Sequence, residues 1–324
     1  MTFTRQTVIT VTLCSGLGLL LASPLWAWDG IVEKQTFEMD SYTTQGGETI
    51  PNVTVGWEAY GKLNDARDNV ILITHFFSGN SHAAGRYEED GQPTGYWDAI
   101  IGPGKPLDTD EYYIISSDTL VNLGANDPSV TTTGPASINP DTGEPWGMDF
   151  PVVTIRDFVE VQRGLLESQG IESLHAVMGA SMGALQAIEW TSAYPDRVER
   201  LISVIGGGVA DPWLLATLSA WAAPIRLDAN WNEGDYYDGE PPTDGLKEAL
   251  KLVTLNANHW QWANETFNRD WTKRATPRRI STPATRLNKR WMTSPPPVLP
   301  PPMPTTCSIW CVPTKPLWQA TAIR

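Results

Sequence analysis

The sequence predicts an α/β fold built on a mostly parallel sheet, and three observations predict it. Short apolar runs of the buried-strand type alternate with helical periodicity. One run passes through Gly179-Ala180-Ser181-Met182-Gly183 straight into a strongly helical stretch. With 41% hydrophobic residues in 324, the chain can bury one sizeable core.

The elements follow in order. Val53, Val55 and Trp57 alternate with polar neighbours, as in a half-buried strand. Val70-Ile71-Leu72-Ile73 and Tyr113-Ile114-Ile115 are continuous apolar runs, as are Leu174 to Met178 and Leu201 to Ile205. Thr154 to Gln169 carries apolar residues at helical spacing, with Thr154 and Asp157 placed as a capping pair and Gly170 just past the end. Ala184 to Trp190 reads as the helix after the glycine-flanked serine. No internal repeat is visible.

The two ends differ from this middle. Residues 1–27 have the layout of a secretory signal peptide: a lone cation at Arg5, an apolar run from Val8 to Ala22, and the small residue Ala27 before Asp29. The run is about 15 residues and interrupted by Ser15, Gly16 and Gly18, short of the roughly 20 that span a bilayer. Export to the periplasm or medium is therefore expected, without a stable membrane anchor. Residues 1–271 hold 37 acidic and 14 basic side chains, whereas residues 272–324 hold 9 basic and none acidic, with 11 prolines. Such a tail cannot supply core helices or central strands. It reads as disordered or as the product of a shifted reading frame. Net charge −14 argues against a nucleic-acid surface, which needs a basic face. Three cysteines give no disulfide framework, and no His/Asp/Glu cluster has metal-ligand spacing.

Chemistry concentrates at the elbow. Strand, tight turn and helix put Ser181 on a strained turn with its hydroxyl exposed, and the flanking glycines let strand and helix approach closely. Ser181 is the candidate nucleophile. The N–H of Met182, at the helix start, is one candidate oxyanion donor. The loop His75-Phe76-Phe77-Ser78-Gly79 after an earlier strand is the natural source of the second, with Phe77 the specific candidate. The alternative is that Phe76 and Phe77 are only loop aromatics packing on the core. His175, in the strand before Ser181, reads as a core histidine.

Several segments carry a resemblance: His75 to His82, Thr133-Gly-Pro-Ala-Ser-Ile-Asn-Pro through Gly147, Phe150 to Asp157, and Gly179 to Trp190 with Tyr194-Pro-Asp-Arg-Val198. Over about residues 40–270 the chain resembles the homoserine O-acetyltransferase family of the α/β-hydrolase superfamily. The resemblance implies an α/β-hydrolase fold with a helical cap over about residues 209–270, and no bound cofactor. It implies acyl transfer through an acyl-enzyme on Ser181, with acetyl-CoA or another acyl donor as substrate and a small-molecule acceptor. It leaves a homodimer open.

Departures from the family pattern set further expectations. The positions of the family's substrate-binding Arg and Tyr fall on Leu250 and Ala257. In this fold the triad runs Ser, acid, His, yet no acidic residue follows Asp270 and His259 is the last histidine. His259 is the one candidate base after Ser181, and it lies in the expected cap. The domain of residues 28–271 is thus expected to lack the C-terminal part of its sheet, to expose an apolar edge and to be catalytically impaired. A frame shift near Trp271 accounts for the missing acid, the missing base and the altered tail together. Translating the encoding DNA in the other two frames beyond codon 271 tests it. Three functions stay open: acyltransferase, exported serine esterase, and inactive binding protein.

Overall fold

The computed structural model describes residues 28–89, 91 and 94–267; the expected signal peptide and the basic tail lie outside them. Each strand expected from the sequence is present, and one further strand precedes them. These are β1 (Gln35–Thr43), β2 (Thr49–Tyr60), β3 (Val70–Thr74), β4 (Tyr113–Ser117), β5 (Ala176–Ala180) and β6 (Leu201–Val204), in the sheet order β1-β2-β4-β3-β5-β6. The first two pairings, β1 with β2 and β2 with β4, are antiparallel, and β4, β3, β5 and β6 run parallel. Ile71 of β3 stands between Ile114 of β4 and Ala176 of β5.

Period-two alternation splits the core between the sheet's two faces. Val70 and Leu72 of β3 join Trp57, Ile115 and Val177 on one face, against Leu165, Leu166 and Trp190. Ile71 and Ile73 join Tyr60, Ile101 and Ile114 on the other. Two helices supply the first face: α1 (Ile155–Ser168) and α2 (Met182–Ala193). Asp157, fully buried in the first turn of α1, accepts hydrogen bonds from the Thr154 hydroxyl at 2.7 Å and from Tyr42 of β1 at 2.7 Å. The predicted capping pair thus also ties the helix to the sheet.

β6 departs from its apolar sequence. A buried strand is expected there, yet Leu201 is 41% exposed and Val204 41% exposed. The reason is its place: it pairs with β5 on one side, and no other described strand pairs with it. After β6 come α3 (Pro212–Leu227), α4 (Thr243–Ala257) and α5 (Trp260–Phe267), where the helical cap is expected. Asp211 caps α3 by accepting from the Leu214 N–H at 2.8 Å, with Pro212 in the first turn where its missing N–H costs nothing. Ile225 of α3 packs with Leu246 and Ala249 of α4. Among the described residues, no helix is long and apolar enough to cross a membrane.

Candidate active site

Ser181 lies between the end of β5 and the start of α2, exposed, with φ 55° and ψ −122°. A non-glycine residue at positive φ is strained by about 1–3 kcal/mol, and surrounding contacts must hold it there. They do so from three sides. The Ser181 N–H donates to the Val204 carbonyl of β6 at 3.0 Å, and its carbonyl accepts from Ala184 at 2.9 Å. Gly179 and Gly183 touch each other and Thr74 so closely that a Cβ on either would overlap backbone. The Thr74 hydroxyl donates to the Gly183 carbonyl at 2.7 Å. Both glycines of the motif are therefore required by close approach.

Parallel pairing of β3 with β5 brings Thr74 opposite Gly179. The loop His75–Gly79 consequently runs beside the serine turn. Phe77 is half-buried and packs with Met182 and Val121 in one apolar cluster. Met182 is buried at the first position of α2, where a backbone N–H has no intrahelical acceptor. The structure thus sets Phe77, Met182 and Ser181 on adjoining segments.

A buried amide chain fixes the same loop from behind. Trp190 donates to Gln162 at 2.8 Å, Gln162 to Gln186 at 2.7 Å, and Gln186 to the His75 carbonyl at 3.2 Å. The His75 ring is buried, and its Nδ1 meets the Phe76 carbonyl at 2.7 Å. A carbonyl only accepts, so Nδ1 carries the proton and Nε2 is left to accept from the Asn122 amide at 3.3 Å. Burial holds this imidazole's pKa below its ordinary value, against the hydrogen bond to Phe76.

Further along, Ser81 and His82 are pinned by two fully buried carboxylates. Asp118 accepts from the Ser81 N–H at 2.7 Å and from the Thr131 N–H at 2.9 Å. Glu58 accepts from His82 Nδ1 at 3.0 Å, Tyr60 at 2.8 Å, Tyr87 at 2.7 Å and Lys34 at 3.1 Å. Lys34 also reaches Asp118 at 3.4 Å. Burial pushes the Glu58 carboxyl up, but its bonds from His82 and Tyr87 and the Lys34 charge outweigh burial and hold it below the usual range. At Asp118 burial wins, and the carboxyl is raised despite Lys34 and two backbone donors.

All four histidines are described, and each pairs with groups other than Ser181. His75 faces Phe76 and Asn122, and His82 faces Glu58. His175 is half-buried rather than a core residue: it immediately precedes β5, at the end opposite Ser181, with its ring 5.0 Å from Tyr112 and beside Arg200. His259 is exposed in the turn between α4 and α5, where its Nδ1 accepts from the Gln261 N–H at 3.3 Å. Leu250 packs against the α3–α4 core and Ala257 is exposed at the end of α4. No group of three or more His, Cys, Asp or Glu able to hold a metal occurs among the described residues. Sequence reasoning named Ser181, Phe77 and Met182 as candidates but missed Thr74 and Val204, which touch the serine turn, and Asn122 and Gln186, which hold the neighbouring loop.

A family model for the alpha/beta hydrolase fold matches residues 64–285. The homoserine O-acetyltransferase of Methanococcoides burtonii is 44% identical over 214 residues, 66% of this chain and 43% of the relative. The crystal structure of esterase E22 is 53% identical with TM-score 0.77, over 86% of this chain and 76% of that one. That of homoserine O-acetyltransferase from Bacillus anthracis is 38% identical with TM-score 0.78, over 86% and 74%. The chain spans about half the length of the curated relatives it matches. Sheet order, serine turn and these matches agree, and the chain belongs to the α/β-hydrolase fold family and, within it, to the homoserine O-acetyltransferase family.

Proposed function

We propose that this fold carries out acyl transfer with Ser181 as nucleophile and the N–H groups of Phe77 and Met182 as oxyanion donors. The observation that carries the reading is the exposed Ser181 held at φ 55° by Gly179, Gly183 and Thr74 at the start of α2. Ser181 Oγ would attack the donor carbonyl while a base removes its proton; the tetrahedral oxyanion would then expel the leaving group, which takes that proton. An acceptor hydroxyl or water would next attack the acyl-enzyme carbonyl, its proton passing through the base to the departing Ser181 Oγ, which frees the serine. Acetyl-CoA and homoserine are the donor and acceptor the family name suggests.

Water as acceptor, giving an esterase, is favoured by the higher identity to esterase E22, 53% against 38% for the Bacillus anthracis acetyltransferase. Leu250 and Ala257 point the same way, since neither side chain can bind a carboxylate. The base is the weak component. His259 is the candidate after Ser181 in the chain, yet it is exposed in its own turn with Nδ1 accepting from the Gln261 N–H, the neutral tautomer that places the proton on Nε2. We therefore infer that this polypeptide acylates slowly, several powers of ten below an intact triad. The test is labelling of the purified chain with a fluorophosphonate, mapped by peptide mass spectrometry, beside turnover of p-nitrophenyl acetate and of acetyl-CoA with homoserine. Ser181→Ala is expected to abolish labelling. Label on another residue, or undiminished label in that variant, overturns the reading.

A further inference from the structure

We propose that Asn122 is a positioning residue that sets the oxyanion loop; the inference rests on the reading of Ser181 and Phe77 above. The buried Asn122 amide donates to the Gly79 carbonyl at 3.1 Å and toward His75 Nε2 at 3.3 Å, so one side chain grips both ends of the loop that carries Phe77. Its own orientation is fixed, because Oδ1 accepts from the Gly124 N–H at 2.8 Å and the backbone N–H donates to Thr132 at 3.1 Å. Both loop partners are acceptors, so the site demands a donor in this place.

The residue before it supplies an independent observation. Val121 is β-branched, buried and held at φ 52°, a conformation such residues rarely adopt. Its N–H donates to the Thr133 carbonyl at 3.0 Å, which locks the turn. The strain aims the next side chain inward at the loop. Gln186 holds the His75 carbonyl from α2, which ties the same loop to the helix that follows the serine turn.

The experiment uses the full chain and its Asn122→Ala and Asn122→Asp variants. At saturating fluorophosphonate, the maximal rate of Ser181 labelling is expected to fall at least tenfold in both, with the half-saturating concentration within twofold of wild type. The Asp variant should recover relative to wild type as pH falls, because a protonated carboxyl regains a donor. An unchanged maximal rate overturns the proposal, even if thermal stability drops. Absence of Ser181 labelling in wild type overturns the nucleophile reading alone, and hydrogen exchange then decides about Asn122. Faster exchange confined to residues 75–80 in Asn122→Ala supports its hold on the loop, and unchanged exchange there overturns it.

Discussion

Thr74 and Gly183 interlock: the Thr74 hydroxyl donates to the Gly183 carbonyl at 2.7 Å, while the Thr74 carbonyl fills the space a Cβ on Gly183 would need. Alanine in a helix ordinarily stabilises by about 1 kcal/mol relative to glycine. Here the sign reverses. Gly183→Ala is expected to destabilise by about 1–3 kcal/mol, because the added methyl meets backbone that cannot yield without moving β3. Urea unfolding followed by circular dichroism measures it, and a gain in stability would contradict the packing.

Glu58 sets an acid limit. Its carboxyl lies below the ordinary value of 4.5 in the folded protein, so its stabilising contribution is complete above pH 4.5 and is lost as pH falls through the folded value. Asp118, raised above 3.8, contributes with the opposite sign. Subtracting the curve of Glu58→Gln isolates the first term. The thermal midpoint of wild type should fall more steeply than that of the variant below pH 4.5; parallel curves would refute the assignment.

An apolar edge strand is an association hazard. Val204 and Leu201 are both 41% exposed on β6, with no Lys or Pro among its residues. Leu201→Lys is expected to lower concentration-dependent light scattering severalfold while leaving the circular dichroism spectrum unchanged. Equal scattering would place the sticky surface elsewhere.

Free imidazole should replace what the four engaged histidines do not provide. Ester hydrolysis by the chain is expected to rise at least tenfold at high imidazole concentration after subtracting the Ser181→Ala background, with a midpoint near the imidazole pKa. A Ser181-dependent rate indifferent to imidazole would mean that a base, His259 or another, already serves the serine.

Much of this was legible in the sequence where the signal is local. β3, β4 and β5 announce themselves because each is a short apolar run, and α1 because Thr154 and Asp157 mark its start. Ser181 is legible because its strained turn needs glycine on both sides. β1 gave little sign, since Tyr42 is its only buried residue and its other apolar side chains are half-covered. The exposure of β6 could not be read from its own residues, because burial of Leu201 to Val204 depends on a neighbour; the expectation of an exposed apolar edge came from the composition break near Trp271 and named no strand. The Lys34, Glu58 and Asp118 cluster and the grip of Asn122 on Gly79 join residues 24 to 84 positions apart, and no pattern along the chain reveals such pairings.

The contacts that shape the Ser181 turn come from Thr74, Gly179, Gly183, Ala184 and Val204. A growing polypeptide leaving the ribosome therefore holds all the residues that shape this turn once Val204 has emerged, before α3 has been made. Changes beyond that point leave the contacts of this turn in place. The shape of the turn is inherited separately from the rest of the catalyst.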